Sequence, residues 1–81
     1  MKTLFNGTDV ILIETSNFFI MLQEEGNYVL SKTVDKKMGE ERSTLPRICT
    51  LIYEDKSRCL YKDNTYLYEV IDNRTIIRHT I

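Results

Sequence analysis

The sequence predicts a mainly β protein, a single small domain over residues 1–81 folded as an antiparallel meander or barrel of six or seven short strands. Three observations predict it. The chain has no alanine, the best helix former, while Ile, Thr and Tyr, which pack well on a pleated surface, are abundant. Turn-forming clusters recur at short intervals: NG at 6–7, TSN at 15–17, EEGN at 24–27, EDKS at 54–57, KDN at 62–64 and DNR at 72–74. The runs between them are four to eight residues long and rich in β-branched or aromatic side chains.

The first predicted strand, Asp9–Glu14, contains VILI, and the second, Phe18–Gln23, is FFIMLQ. Both are apolar on both faces, the pattern of strands covered on two sides or closing a barrel. Residues 16–26 also admit a helix, with Ser16 as cap and Gly26 as stop, but the adjacent phenylalanines and strand-rich surroundings favour a strand. Tyr28–Val34 follows as the third strand. The polar stretch at about 35–46 is then either a mobile loop or a short helix capped by Asp35. Gly39 would weaken that helix by about 1 kcal/mol relative to alanine.

Beyond that stretch the predicted strands are Arg47–Tyr53, then Arg58–Lys62 with Thr65–Ile71 as its hairpin partner across KDN, and finally Thr75–Thr80. The period of two sets Tyr66, Tyr68 and Val70 against Leu67, Glu69 and Ile71. In the last strand Ile77, His79 and Ile81 share a face opposite Ile76, Arg78 and Thr80. If this strand lies at an edge, it offers backbone groups for a homodimer by sheet extension, which Arg78 would oppose.

A chain of this length buries only about 60% of the surface it exposes when unfolded, so it has room for one core. Formal net charge is −1, without the strongly basic balance of a typical nucleic-acid-binding domain. The charge is uneven: residues 1–31 balance at −3, 32–47 at +2 and 48–81 at zero. No apolar run approaches the ~20 residues that span a bilayer, and MKTLFNGTDV lacks the apolar core of a secretory signal. The expected place of action is therefore the cytoplasm, without a membrane partner. Cys49 and Cys59 lie ten apart with no CxxC and no companion histidine spacing, so two free thiols are expected and a zinc site is not.

Catalysis needs a convergent set of groups, and the chain has one histidine, His79, expected at a half-buried or edge position. The carboxylate pairs Glu24–Glu25, Glu40–Glu41 and Glu54–Asp55 fall in turns or loops, where solvation keeps them ordinary. No phosphate-cradling glycine loop, calcium loop or metal-binding histidine pair is present. A non-enzymatic protein with no cofactor and no metal is the expectation.

Two sets of residues are candidates for binding. Tyr61, Tyr66 and Tyr68 in YKDNTYLY can share a neighbourhood with Lys62, Arg74 and Arg78, either as cross-strand packing, as a protein-binding face, or as a stacking platform for single strands. Lys36, Lys37, Arg42 and Arg47 lie in the segment 32–47, a solvated loop or one that orders on a partner, with Met38 as an adaptable apolar contact. The composition, rich in Ile, Asn, Lys, Tyr and Phe, is what an AT-rich genome produces. Taken together these features suggest a small protein-interaction module, such as a phage, viral or mobile-element accessory protein that inhibits or modulates a larger host protein in the host cytoplasm. The alternative is a small β-barrel that binds single-stranded nucleic acid.

Overall fold

The computed structural model describes all residues, Met1–Ile81. Strand accounts for 63% of the chain and there is no α-helix. The nine strands are β1 (Lys2–Asn6), β2 (Val10–Glu14), β3 (Phe18–Glu25), β4 (Tyr28–Asp35), β5 (Glu40–Arg42), β6 (Thr50–Glu54), β7 (Arg58–Lys62), β8 (Tyr66–Ile71) and β9 (Thr75–Thr80). They form two structural units, Met1–Lys37 and Met38–Ile81. The first holds a four-stranded antiparallel sheet in the order β1-β2-β3-β4, the second a five-stranded one in the order β5-β9-β8-β7-β6.

The expected antiparallel, strand-dominated class is found, with three corrections of detail. Neither sheet closes into a barrel. The strands number nine rather than six or seven, because Lys2–Asn6 and Glu40–Arg42 also pair. Within the polar stretch, Lys36–Met38 is a single 3-10 turn and Glu40–Arg42 is a strand, so it is neither one continuous loop nor a short α-helix. Gly39 ends the turn where side chains of β9 come close: a Cβ there would sit 2.6 Å from Ile77 Cγ2 and 2.8 Å from His79 Cε1.

In the first unit, residues 18–25 are strand and not helix, because β3 is paired along its whole length with both β2 and β4. The register sets Leu12 opposite Met21 and Phe19 opposite Val34, so these four share one face of the sheet. All four are buried. The opposite face carries Ile11, Ile13, Ile20 and Leu22, which are half-buried. Lys36 joins the end of β4 to β2, with Nζ 2.8 Å from Glu14 Oε2 and 2.9 Å from the Thr15 carbonyl.

In the second unit, the turns are closed by side chains whose chemistry the sequence shows. Asp55 Oδ1 accepts from the amides of Ser57 and Arg58, and Asp63 Oδ1 accepts from those of Thr65 and Tyr66, the Asx pattern that competes well with regular structure. Three donors, first the Tyr53 hydroxyl and then the two amides, hold the exposed Asp55 carboxyl well below the usual carboxylate range. The β8–β9 turn places Asp72 and Asn73 at φ 54° and 57°, a conformation that Asp and Asn tolerate best after glycine. Strand β9 lies between β8 and β5, so the terminal strand is not an edge, contrary to one reading of the sequence.

Candidate functional site

One residue from each strand of the second sheet lies in a single cross-strand row. Leu51 pairs with Tyr61, Tyr61 with Tyr68, Tyr68 with Arg78, and Arg78 with Glu40. Directly opposed residues in an antiparallel sheet point to the same side, so the five side chains form a stripe across one face. Tyr66, two residues from Tyr68, adds its ring to that face, with centroids 6.0 Å apart in an edge-to-face arrangement.

The stripe is ordered by contacts among its own members. The guanidinium carbon of Arg78 sits 4.4 Å from the centroid of the Tyr66 ring, and its Nη2 is 3.7 Å from Glu40 Oε2. Tyr68 is buried to 4% exposure, whereas Tyr61 and Tyr66 are half-buried. Burial pushes the Tyr68 hydroxyl above its ordinary value, and the Asp63 charge adds to the rise. At the far end Leu51 is 46% exposed, and the loop leading into β6 holds Ile48 at 88%.

The ten sequence candidates are therefore divided. Tyr61, Tyr66, Tyr68 and Arg78 come together on the stripe. Lys62 flanks Tyr61 in β7 and so points to the opposite face, while Arg74 lies in the exposed β8–β9 turn. Arg42 in β5 is exposed opposite Ile76, and Arg47 is exposed in the loop before β6. Lys36 and Lys37 belong to the first unit, Lys36 in its ion pair with Glu14 and Lys37 exposed, with its amide bound to Asp35 Oδ1.

The opposite face of the second sheet carries a group that the sequence reading did not single out. Glu69 Oε2 accepts from Arg58 Nη1 at 3.0 Å, and Glu69 Oε1 is 3.4 Å from His79 Nε2. His79 is buried at 2% exposure, deeper than the half-buried or edge position expected of it, since β5 flanks its strand. The His79 contact, then that of Arg58, lowers the Glu69 pKa against the opposing effect of burial. The alternation groups Glu69 with Leu67 and Ile71, and His79 with Ile77 and Ile81, each on one face of its strand. Only the β7–β8–β9 register brings Glu69 and His79 together with Arg58. The thiols of Cys49 and Cys59 are free, and burial pushes both up, away from nucleophilic reactivity.

No helix is long and apolar enough to cross a membrane. No protein-family model, no curated protein and no solved structure matches the chain.

Proposed function

We propose that this chain is a small non-enzymatic protein-interaction module that docks on a larger protein through the Leu51 end of the tyrosine stripe and the loop that leads into β6. One observation carries the reading: Ile48 is 88% exposed in the loop that leads into β6, and Leu51, 46% exposed, pairs directly with Tyr61 at the end of the stripe. Exposed aliphatic side chains beside a tyrosine make an apolar interface centre, and exposed Arg47, next to Ile48 in the loop, supplies a polar rim, whereas Arg42 lies on β5 at the other edge of the sheet. The AT-biased composition supports a phage, viral or mobile-element accessory protein, acting in the host cytoplasm to inhibit or modulate a host protein.

Single-strand binding through Tyr61, Tyr66 and Tyr68, with Lys62, Arg74 and Arg78 on phosphates, is the competing reading. Base stacking needs open ring faces. Tyr68 has almost no exposed surface, and one face of Tyr66 is taken by Arg78. Both observations weigh toward the protein partner.

The test is affinity capture from lysate of the source cells on the native chain and on a variant combining Ile48→Asp and Leu51→Asp. One dominant protein retained saturably by the native chain, lost with the variant and indifferent to nuclease, is the expected result. Retention that ignores the substitutions would overturn the assigned surface. Bound material absorbing at 260 nm, removed by salt and weakened by about 1–3 kcal/mol with Tyr61→Ala, would favour nucleic acid instead.

A further inference from the structure

Two open sheets present four edge strands, and three of them are blunted. β1 carries a register shift between Thr3 and Phe5, β6 carries one between Leu51 and Tyr53, and β5 is three residues long. Bulges and short edges are two devices by which β proteins avoid pairing with other chains, and charged side chains such as Lys32 of β4 are a third, which acts against registers that oppose like charges. β4 lacks the first two. It runs for eight residues in unbroken register with β3, and residues 28–33 are exposed.

The backbone groups that β4 offers can be assigned. Glu25 pairs with Tyr28 across the two-residue Gly26–Asn27 turn, the hydrogen-bonded position next to such a turn. Even-numbered residues therefore direct their backbone groups to β3, and the Lys36 amide, bonded to the Asn17 carbonyl at 3.0 Å, keeps that parity. Val29, Ser31 and Thr33 direct theirs outward.

We propose that a second copy of the chain pairs here, β4 against β4 in antiparallel register about a two-fold axis at Ser31, joining two four-stranded sheets into one of eight. Charge selects both the occupant and the register. The registers that pair most of the strand are centred on Ser31 and on Lys32, and the second sets Lys32 against its own copy, an unfavourable like-charge pair. A shift to Leu30 opposes the acidic Glu25 end to Asp35. With Ser31 at the axis, Lys32 faces Leu30 of the second copy and Val29 faces Thr33. The acidic hairpin tip, with exposed Glu24 and Glu25, then lies beside Lys36 and exposed Lys37 of the other copy. Three opposed outward pairs would exchange about six backbone hydrogen bonds.

Size-exclusion chromatography with light scattering on the purified chain tests the proposal. The native chain is expected as a dimer, and Ser31→Pro as a monomer of half the mass. Proline at this position removes only an outward amide, so the β3–β4 ladder and the far-ultraviolet circular dichroism stay unchanged. In a background with both native cysteines changed to serine, Ser31→Cys should oxidise to a covalent dimer, because hydrogen-bonded partners lie at about 5.5 Å between Cα atoms, within disulfide reach. Lys32→Cys should not. A native chain that is monomeric at high micromolar concentration would overturn the proposal, as would a dimer that survives Ser31→Pro or one that crosslinks as readily through position 32.

Discussion

The guanidinium of Arg78 lies over the Tyr66 ring at 4.4 Å from its centroid, while its strand neighbour across the ladder is Tyr68. One cation thus covers one tyrosine and flanks another, and it gives the stripe an ordered, partly desolvated centre.

Arg78→Leu keeps most of the aliphatic stem and removes the cation–π contact. It should lower stability by about 1 kcal/mol in a denaturant titration, and the remoter, 60% exposed Glu40 side chain should cost much less when changed to Gln.

Glu69→Gln removes the carboxylate that Arg58 and His79 both face, at a cost of about 2 kcal/mol near neutral pH. The folded pKa of Glu69 is lowered from its ordinary 4.5, so its contribution is fully present above that value. It is lost as the pH falls through the lowered folded value. Stability of the native chain should therefore drop in that acid window, and Glu69→Gln should flatten part of the drop. An unchanged acid slope would remove Glu69 from the account.

Gly39→Ala places a methyl 2.6 Å from Ile77 Cγ2 and 3.0 Å from His79 Nδ1, both in β9. Backbone strain plays no part, since Gly39 is absent from the residues with positive φ. The expected loss is about 1–3 kcal/mol from overpacking, with faster amide exchange in β5 and β9.

Asn73 sits at φ 57°, where a β-branched side chain is strained. Asn73→Val should cost about 1–2 kcal/mol in a thermal or denaturant melt, and Asn73→Gly should be close to neutral.

Seven of the nine strands were legible because alternation and turn residues mark them directly, as in TYLYEVI between KDN and DNR. The two that were missed show what such patterns omit. KTLFN is interrupted by the bulge at Leu4, which breaks its alternation, and EER holds three charged residues that carry no apolar signal. EER is a strand only because it pairs with β9, more than thirty residues away in sequence. That same pairing sets TIIRHTI inside the sheet, where the sequence left an edge position open, and His79 is buried.

The tyrosine cluster was legible as a neighbourhood because KDN sets up the β7–β8 hairpin. Its extension to Leu51 at one end and Arg78 and Glu40 at the other depends on the registers of three further strand pairs, one of them shifted by a bulge. Ile48 carried no signal, since one isoleucine after Pro46 and Arg47 reads as the start of a strand. The structure leaves it in the loop.

The most direct test of the docking surface is a photo-crosslinking amino acid placed at position 48 in the source cells, with the same group at exposed Asn64 as the control. One dominant protein adduct from position 48, absent from position 64, is the predicted result. Adducts to nucleic acid, or the same diffuse labelling from both positions, would contradict the account.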